Sequence, residues 1–194
     1  MLQQVKHQIM QLRLPREARR LSRRDRQGGL FEDPGPEAVI REGIAWLGRA
    51  QDSNLMGDGG VARDYSLLKG WASSYPETTG YIAPTMIAYA ERTGDADSLK
   101  RARRMLDWLV EIQLPDGGFQ GGKIDATPVV PVTFNTGQIL LGLAAGVARF
   151  GEYQEAAHAA ARFLRDSLDE DGCWRSHPTP FAASGEKSYE THVS

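Results

Sequence analysis

Residues 97–119 read DSLKRARRMLDWLVEIQLPDGGF, and this stretch decides the fold. Leu99, Ala102, Leu106, Leu109 and Ile112 recur three or four residues apart, so they form one apolar stripe along a helix. Lys100, Arg101, Arg103, Arg104 and Asp107 fill the other face, which reads as turned toward solvent. Pro115 and the pair Gly117-Gly118 stop the helix. An aromatic-Leu pair, Trp108-Leu109, then stands just before an Asp-Gly turn that ends on the apolar Phe119.

The same arrangement occurs on either side. Glu37 to Val61 contains AWLGRAQDSNLMGDGGV, with the pair Trp46-Leu47 and the stripe Ile40, Ile44, Leu47. Glu152 to Trp174 contains RFLRDSLDEDGCW, with the pair Phe163-Leu164. A second marker falls between them: YPETTGY at 75–81, TFNTGQ at 133–138 and SYETHV at 188–193. Both markers recur about every 55–60 residues, and a fixed period of this size signals a repeat architecture. The chain therefore divides into a basic segment, 1–36, and a repeat region, 37–194, with the third repeat cut short.

Helices of a second kind lie between the polar-faced ones. Tyr81 to Ala90 reads YIAPTMIAYA and Gln138 to Phe150 reads QILLGLAAGVARF, both without a polar face. Such helices are expected to be buried on every side. Pro84 is expected in the first turn of its helix, where a missing N–H costs little. The small residues Gly142, Ala144, Ala145 and Gly146 permit close packing. Alternating half-wet and dry helices predict an all-α fold, with a linear solenoid as the rival to an outer and an inner ring.

The run Leu109-x3-Gln113-x2-Asp116-Gly117-Gly118-Phe119 resembles the QW-type repeat of squalene–hopene cyclases and protein prenyltransferase β-subunits. The first copy keeps Leu47 and Gln51 before Asp58-Gly59-Gly60; the third has Leu168 in place of Gln and keeps Gly172 and Trp174. The alternation of SYPETTGYIAPTMIAYAERTGD and FNTGQILLGLAAGVARFGEYQEAA is similar to the helical domains of glucuronyl C5-epimerases, N-acylglucosamine 2-epimerases and six-hairpin glycosidases. It is also similar to squalene-cyclase-repeat proteins of polysaccharide biosynthesis. The resemblance covers roughly residues 37–194 and implies a partial α/α toroid of tandem helical hairpins. Such toroids generally need about six hairpins, so it also implies a fragment or a chain completed by another. Self-association through the open end is the corresponding expectation.

The chemistry of the cyclases and prenyltransferases finds weak support. Asp95-Ala96-Asp97-Ser98 lacks the last Asp of a protonating DxDD motif, and Asp and Ser are ordinary residues at a helix start. Asp171-Gly172-Cys173 has the letters of a zinc-ligand motif, but it sits in a repeat turn, and His177 alone does not complete a site. No metal or cofactor is expected. An isoprenoid-handling protein and a non-catalytic repeat scaffold remain the alternatives to the leading expectation, a protein that binds or modifies a saccharide.

That expectation rests on the residues around the dry helices' N-termini. Tyr75 and Glu77 stand there in one copy, Asn135 and Gln138 in the next, and Tyr189, Glu190 and His192 in the third. Glu77 and Glu190 are candidates for an acid/base pair. Trp71, Tyr75 and Trp174 are candidate platforms for sugar rings. The alternative role of Glu77 and Glu190 is to complement the helix dipole, and that of Thr79, Thr136 and Thr191 is to cap.

The net charge of -2 argues against a nucleic-acid binder. It is unevenly placed: residues 1–30 hold eight basic and two acidic side chains, a net of +6, leaving -8 on the rest. A basic arm on an acidic body points to an anionic partner such as a membrane surface, or to docking on the protein's own body. With one cysteine, no intrachain disulfide can form. Residues 1–30 carry charge but no apolar core of a secretory signal, so a cytoplasmic location is expected.

Overall fold

The polar-faced helices form where their stripes place them. The computed structural model describes residues 9–28 and 32–180. The helices are α1 (Arg16–Arg26), α2 (Pro36–Asp52), α3 (Pro76–Thr93), α4 (Ala96–Ile112), α5 (Thr133–Phe150) and α6 (Gln154–Asp166). A two-stranded antiparallel sheet, β1 (Tyr65–Ser66) and β2 (Gly70–Trp71), sets Tyr65 opposite Trp71. Most of the described chain is helical, so the expected all-α class stands. No described helix is long and apolar enough to cross a membrane.

The stripe of α4 is the clearest case. Ala102, Leu106 and Leu109 are fully buried, together with Met105 from the same side. Asp95 caps the helix, accepting from the backbone N–H groups of Asp97 (3.3 Å) and Ser98 (3.2 Å). This accounts for the Asp95-Ala96-Asp97-Ser98 motif as a helix start. On the outer face Arg101 is drawn inward, and it pairs with Asp52 of α2 at 2.9 Å and Asp97 at 2.7 Å.

The most extensive helix contact joins α3 to α5, while α4 packs back on α3 and α6 on α5. Two glycines let α3 and α5 approach. A Cβ on Gly80 would lie 2.6 Å from the Ile139 Cα, and one on Gly142 would overlap the Gly80 carbonyl oxygen. Gly146 does the same service toward α4 and α6, where a Cβ would meet Leu106 at 2.7 Å and Tyr153 at 2.8 Å. The core between these helices holds Met86, Met105, Leu106, Leu109, Phe119, Ile139 and Leu143, all fully buried.

Three expectations are corrected. Pro84 is not in the first turn: Pro76 occupies that place and Pro84 lies inside α3. Proline has no N–H for the carbonyl four residues back, which is that of Gly80. The α5 backbone at Gly142 packs on that carbonyl, so the gap in the helix falls where another helix closes over it. The dry helices, too, are not buried all round. The main neighbours of α5 are α3, α4 and α6, and the side left over carries Leu141 (49% exposed), Ala144 and Ala148. On α3 the corresponding stripe is Tyr81, Thr85 and Ala88. Lastly, Ile40 of the α2 stripe is exposed, because an open groove of about 530 Å³ separates Ile40 and Ile44 from Thr85, Ala88 and Tyr89 of α3.

The Asp-Gly turns make matching contacts. Asp58 accepts from Gly60 N–H at 2.9 Å and Asp116 from Gly118 N–H at 2.9 Å. Gln51 donates to the carbonyls of Gly59 (2.9 Å) and of Arg101 on α4 (3.2 Å). Gln113 donates likewise to Gly117 (2.9 Å) and to Ala156 on α6 (3.0 Å). Each glutamine thus ties a turn to the next polar-faced helix. The bare Gly59-Gly60 surface receives Trp108, and that of Gly118 receives Phe163.

Candidate functional site

The residues after each turn aim the N-terminus of a dry helix. Val61 N–H donates to Thr79 Oγ1 (3.0 Å), which itself donates to the Tyr75 carbonyl (2.8 Å). One copy on, Phe119 N–H donates to Thr136 Oγ1 (2.9 Å), which donates to the Val132 carbonyl (2.9 Å). Backbone bonds of 2.9 Å, Tyr75 N–H to Val61 and Val132 N–H to Phe119, complete each clasp. Thr79 and Thr136 are therefore not N-caps, since they sit a turn inside the helix and fasten it to the preceding loop. Thr191 lies outside the described residues.

These clasps bring three candidates together. Tyr75 precedes α3, Glu77 is in its first turn, and Asn135 is in the first turn of α5. Asn135 is nearly buried, at 3% exposure, and its amide donates to Glu77 Oε2 at 3.1 Å. The Tyr75 hydroxyl lies close enough to both Glu77 and Asn135 for each to act on its ionisation. Burial pushes the Glu77 carboxyl up from the ordinary 4.5, and the neighbouring Tyr75 hydroxyl only partly offsets this. Burial and the Glu77 charge together push up the Tyr75 hydroxyl. Tyr81, one turn along α3, is raised by burial and again by Glu77.

The remaining candidates are placed as follows. The Gln138 carbonyl lies beside Gly80, so Gln138 is on the α5 side of the same helix junction and part-exposed. Trp71 belongs to an aromatic cluster, with ring centroids 4.8 Å from Trp46 and 4.8 Å from Tyr65. Trp46 and Tyr65 are each nearly half exposed (45% and 44%), which leaves this cluster an open aromatic edge. Trp174 packs on Phe163 and Leu164, and its indole N–H donates to the Leu164 carbonyl at 2.9 Å. Tyr189, Glu190 and His192 lie outside the described residues, so the Glu77–Glu190 pairing has no geometry here. Among the described residues no group of three or more His, Cys, Asp or Glu side chains gathers as a metal site.

Sequence reading missed Tyr81, which it took as part of an apolar run. The signal was present: Tyr81 follows Glu77 by four residues and occupies the repeat position of Gln138. It also missed the Ser73–Asp125 bond (2.6 Å), which fastens the 121–131 loop to the segment leading from β2 into Tyr75. No spacing connects those two residues.

A carboxyl raised by burial, with an amide donated to it and a hydroxyl beside it, has the makings of a group that gives or takes a proton. The same shift has a stability consequence. The folded chain holds the Glu77 proton more tightly than the unfolded chain does, so this group's contribution is greatest below the unfolded value. It falls as pH rises through the raised one. Glu77→Gln is therefore expected to raise the urea midpoint at about pH 7 and leave it nearly unchanged at about pH 3.5. An equal effect at both values would contradict the burial of an ionisable group there.

No protein-family model, curated protein or solved structure matches the chain significantly.

Proposed function

We propose that residues 37–194 form part of an α/α toroid of tandem hairpins that binds or modifies a saccharide at Tyr75, Glu77 and Asn135, in the setting of polysaccharide biosynthesis. One observation carries the reading: two separate helices present a tyrosine hydroxyl, a raised carboxyl and a buried amide to one another at a shared end. Sugar hydroxyls need such mixed donors and acceptors, and a fixed carboxyl can act on a proton of the ring. Tyr81 supplies an exposed ring one turn away, and the edge of Trp46 and Tyr65 supplies further aromatic surface. The recurring turn and clasp bonds support the hairpin repeat.

Thermal unfolding and Trp fluorescence, measured against a panel of neutral and uronic-acid oligosaccharides and an isoprenyl diphosphate, test this. At least one saccharide is expected to raise the midpoint, by about 2.7 kcal/mol of added stability at a hundredfold excess over Kd. Tyr75→Phe and Asn135→Ala should remove most of that gain. A response to the isoprenyl diphosphate with none to any saccharide contradicts the proposal.

A further inference from the structure

The saccharide site leaves the basic N-terminal segment without a role. Residues 9–28 contain seven arginines, at 13, 16, 19, 20, 23, 24 and 26, against Glu17 and Asp25. The helix α1 buries none of its residues. Apolar side chains stand exposed among the charges: Ile9 at 48%, Met10 at 58%, Leu12 at 72% and Leu21 at 54%. Among the described residues, Arg16, Arg19, Arg20 and Arg23 form no ion pair with the acidic body of residues 37–180.

We propose that residues 9–28 bind the surface of a bilayer containing anionic lipid. Two observations meet in that partner. The guanidinium groups match lipid phosphates in charge and in bidentate geometry. The exposed Ile9, Met10, Leu12 and Leu21 would remain in water on a purely polyanionic partner, whereas the headgroup boundary of a bilayer takes apolar side chains of a surface-lying helix. A nucleic acid fits less well, because residues 9–28 include no aromatic side chain to stack on a base. The protein's own acidic body fits less well too, since α1 buries no residue and Arg16, Arg19, Arg20 and Arg23 pair with none of its carboxylates among the described residues. The attachment is peripheral, as no described helix is long and apolar enough to span. It would tether the acidic body at the surface, and it holds whether or not the saccharide reading does.

Flotation of the full chain with vesicles tests it, using phosphatidylcholine alone and phosphatidylcholine mixed with phosphatidylglycerol. Binding is expected on the mixed vesicles only, weakening as salt rises. The charge-reversed variant with Arg19→Glu, Arg20→Glu and Arg23→Glu should lower the partition about a hundredfold or more. Met10→Ser with Leu12→Ser leaves the charge intact and should lower binding most at high salt, where the electrostatic part is screened. These residues are exposed, and far-UV circular dichroism of each variant checks that the helical body is unchanged. Equal binding to both vesicles, or mixed-vesicle binding that survives charge reversal, overturns the proposal. So does mixed-vesicle binding that the two serines leave unaltered and a short RNA competes away, which would point to a polyanion.

Discussion

Gly142→Ala is expected to destabilise the protein by about 3 kcal/mol, the upper part of the usual range for overpacking a tight contact. The direction is what makes the test sharp. In an open helix the same change stabilises by about 1 kcal/mol, because alanine loses less backbone freedom on folding. At Gly142 the added methyl group would overlap the Gly80 carbonyl oxygen, and its carbonyl carbon would lie 3.0 Å away. Backbone cannot swing aside as a side chain can, so α3 and α5 must separate along their largest contact. Gly43 is the control. It lies within α2, nothing stands within 4 Å of where its Cβ would be, and Gly43→Ala should follow the ordinary helical gain. Urea denaturation of the two variants checks both signs. A stabilised Gly142→Ala would mean that the two helices do not meet at their glycines.

Phe119→Ala should cost about 3–5 kcal/mol, as truncation of a buried phenylalanine commonly does. Phe119 is fully buried, and its backbone makes both bonds of the clasp on α5. The cavity would therefore open beside the segment that aims Asn135 at Glu77. The calorimetric midpoint is expected to fall by roughly 6–20 °C. Any pH-dependent difference between wild type and Glu77→Gln should shrink in the same background, because the carboxyl would be less firmly enclosed. A loss below about 1 kcal/mol would show that the residue after the Gly-Gly turn is not seated in the core.

What the sequence disclosed followed from how local the cause was. The stripe on α4 was legible because the same residues that define the helix also bury it, Leu106 and Leu109 among them. Tyr75, Glu77 and Asn135 were legible as a group because the recurring sequence marker sets them at the starts of α3 and α5. Pro84 misled, since the missing N–H is a local cost and its remedy at Gly142 lies 58 residues away. The exposed Tyr81 and Leu141 misled for a related reason: hydropathy states what a helix prefers to bury, not how many neighbours it has. Thr79 and Thr136 invited a capping role from their place near a helix start, yet their bonds run to a loop 17 or 18 residues earlier. Trp174 shares its repeat position with Phe119, and its indole N–H goes to the backbone of Leu164.

The role proposed for Tyr75, Glu77 and Asn135 is jointly to hold a saccharide. The most direct measurement is a carbon-detected NMR titration of the Glu77 carboxyl, with and without the oligosaccharide that most raises the melting midpoint. The account predicts a free-state titration above the ordinary glutamate value, a further displacement on binding, and shifts at Tyr75, Tyr81 and Asn135 in the same spectra. An ordinary Glu77 titration unmoved by ligand, with shifts confined to other parts of the chain, would contradict it.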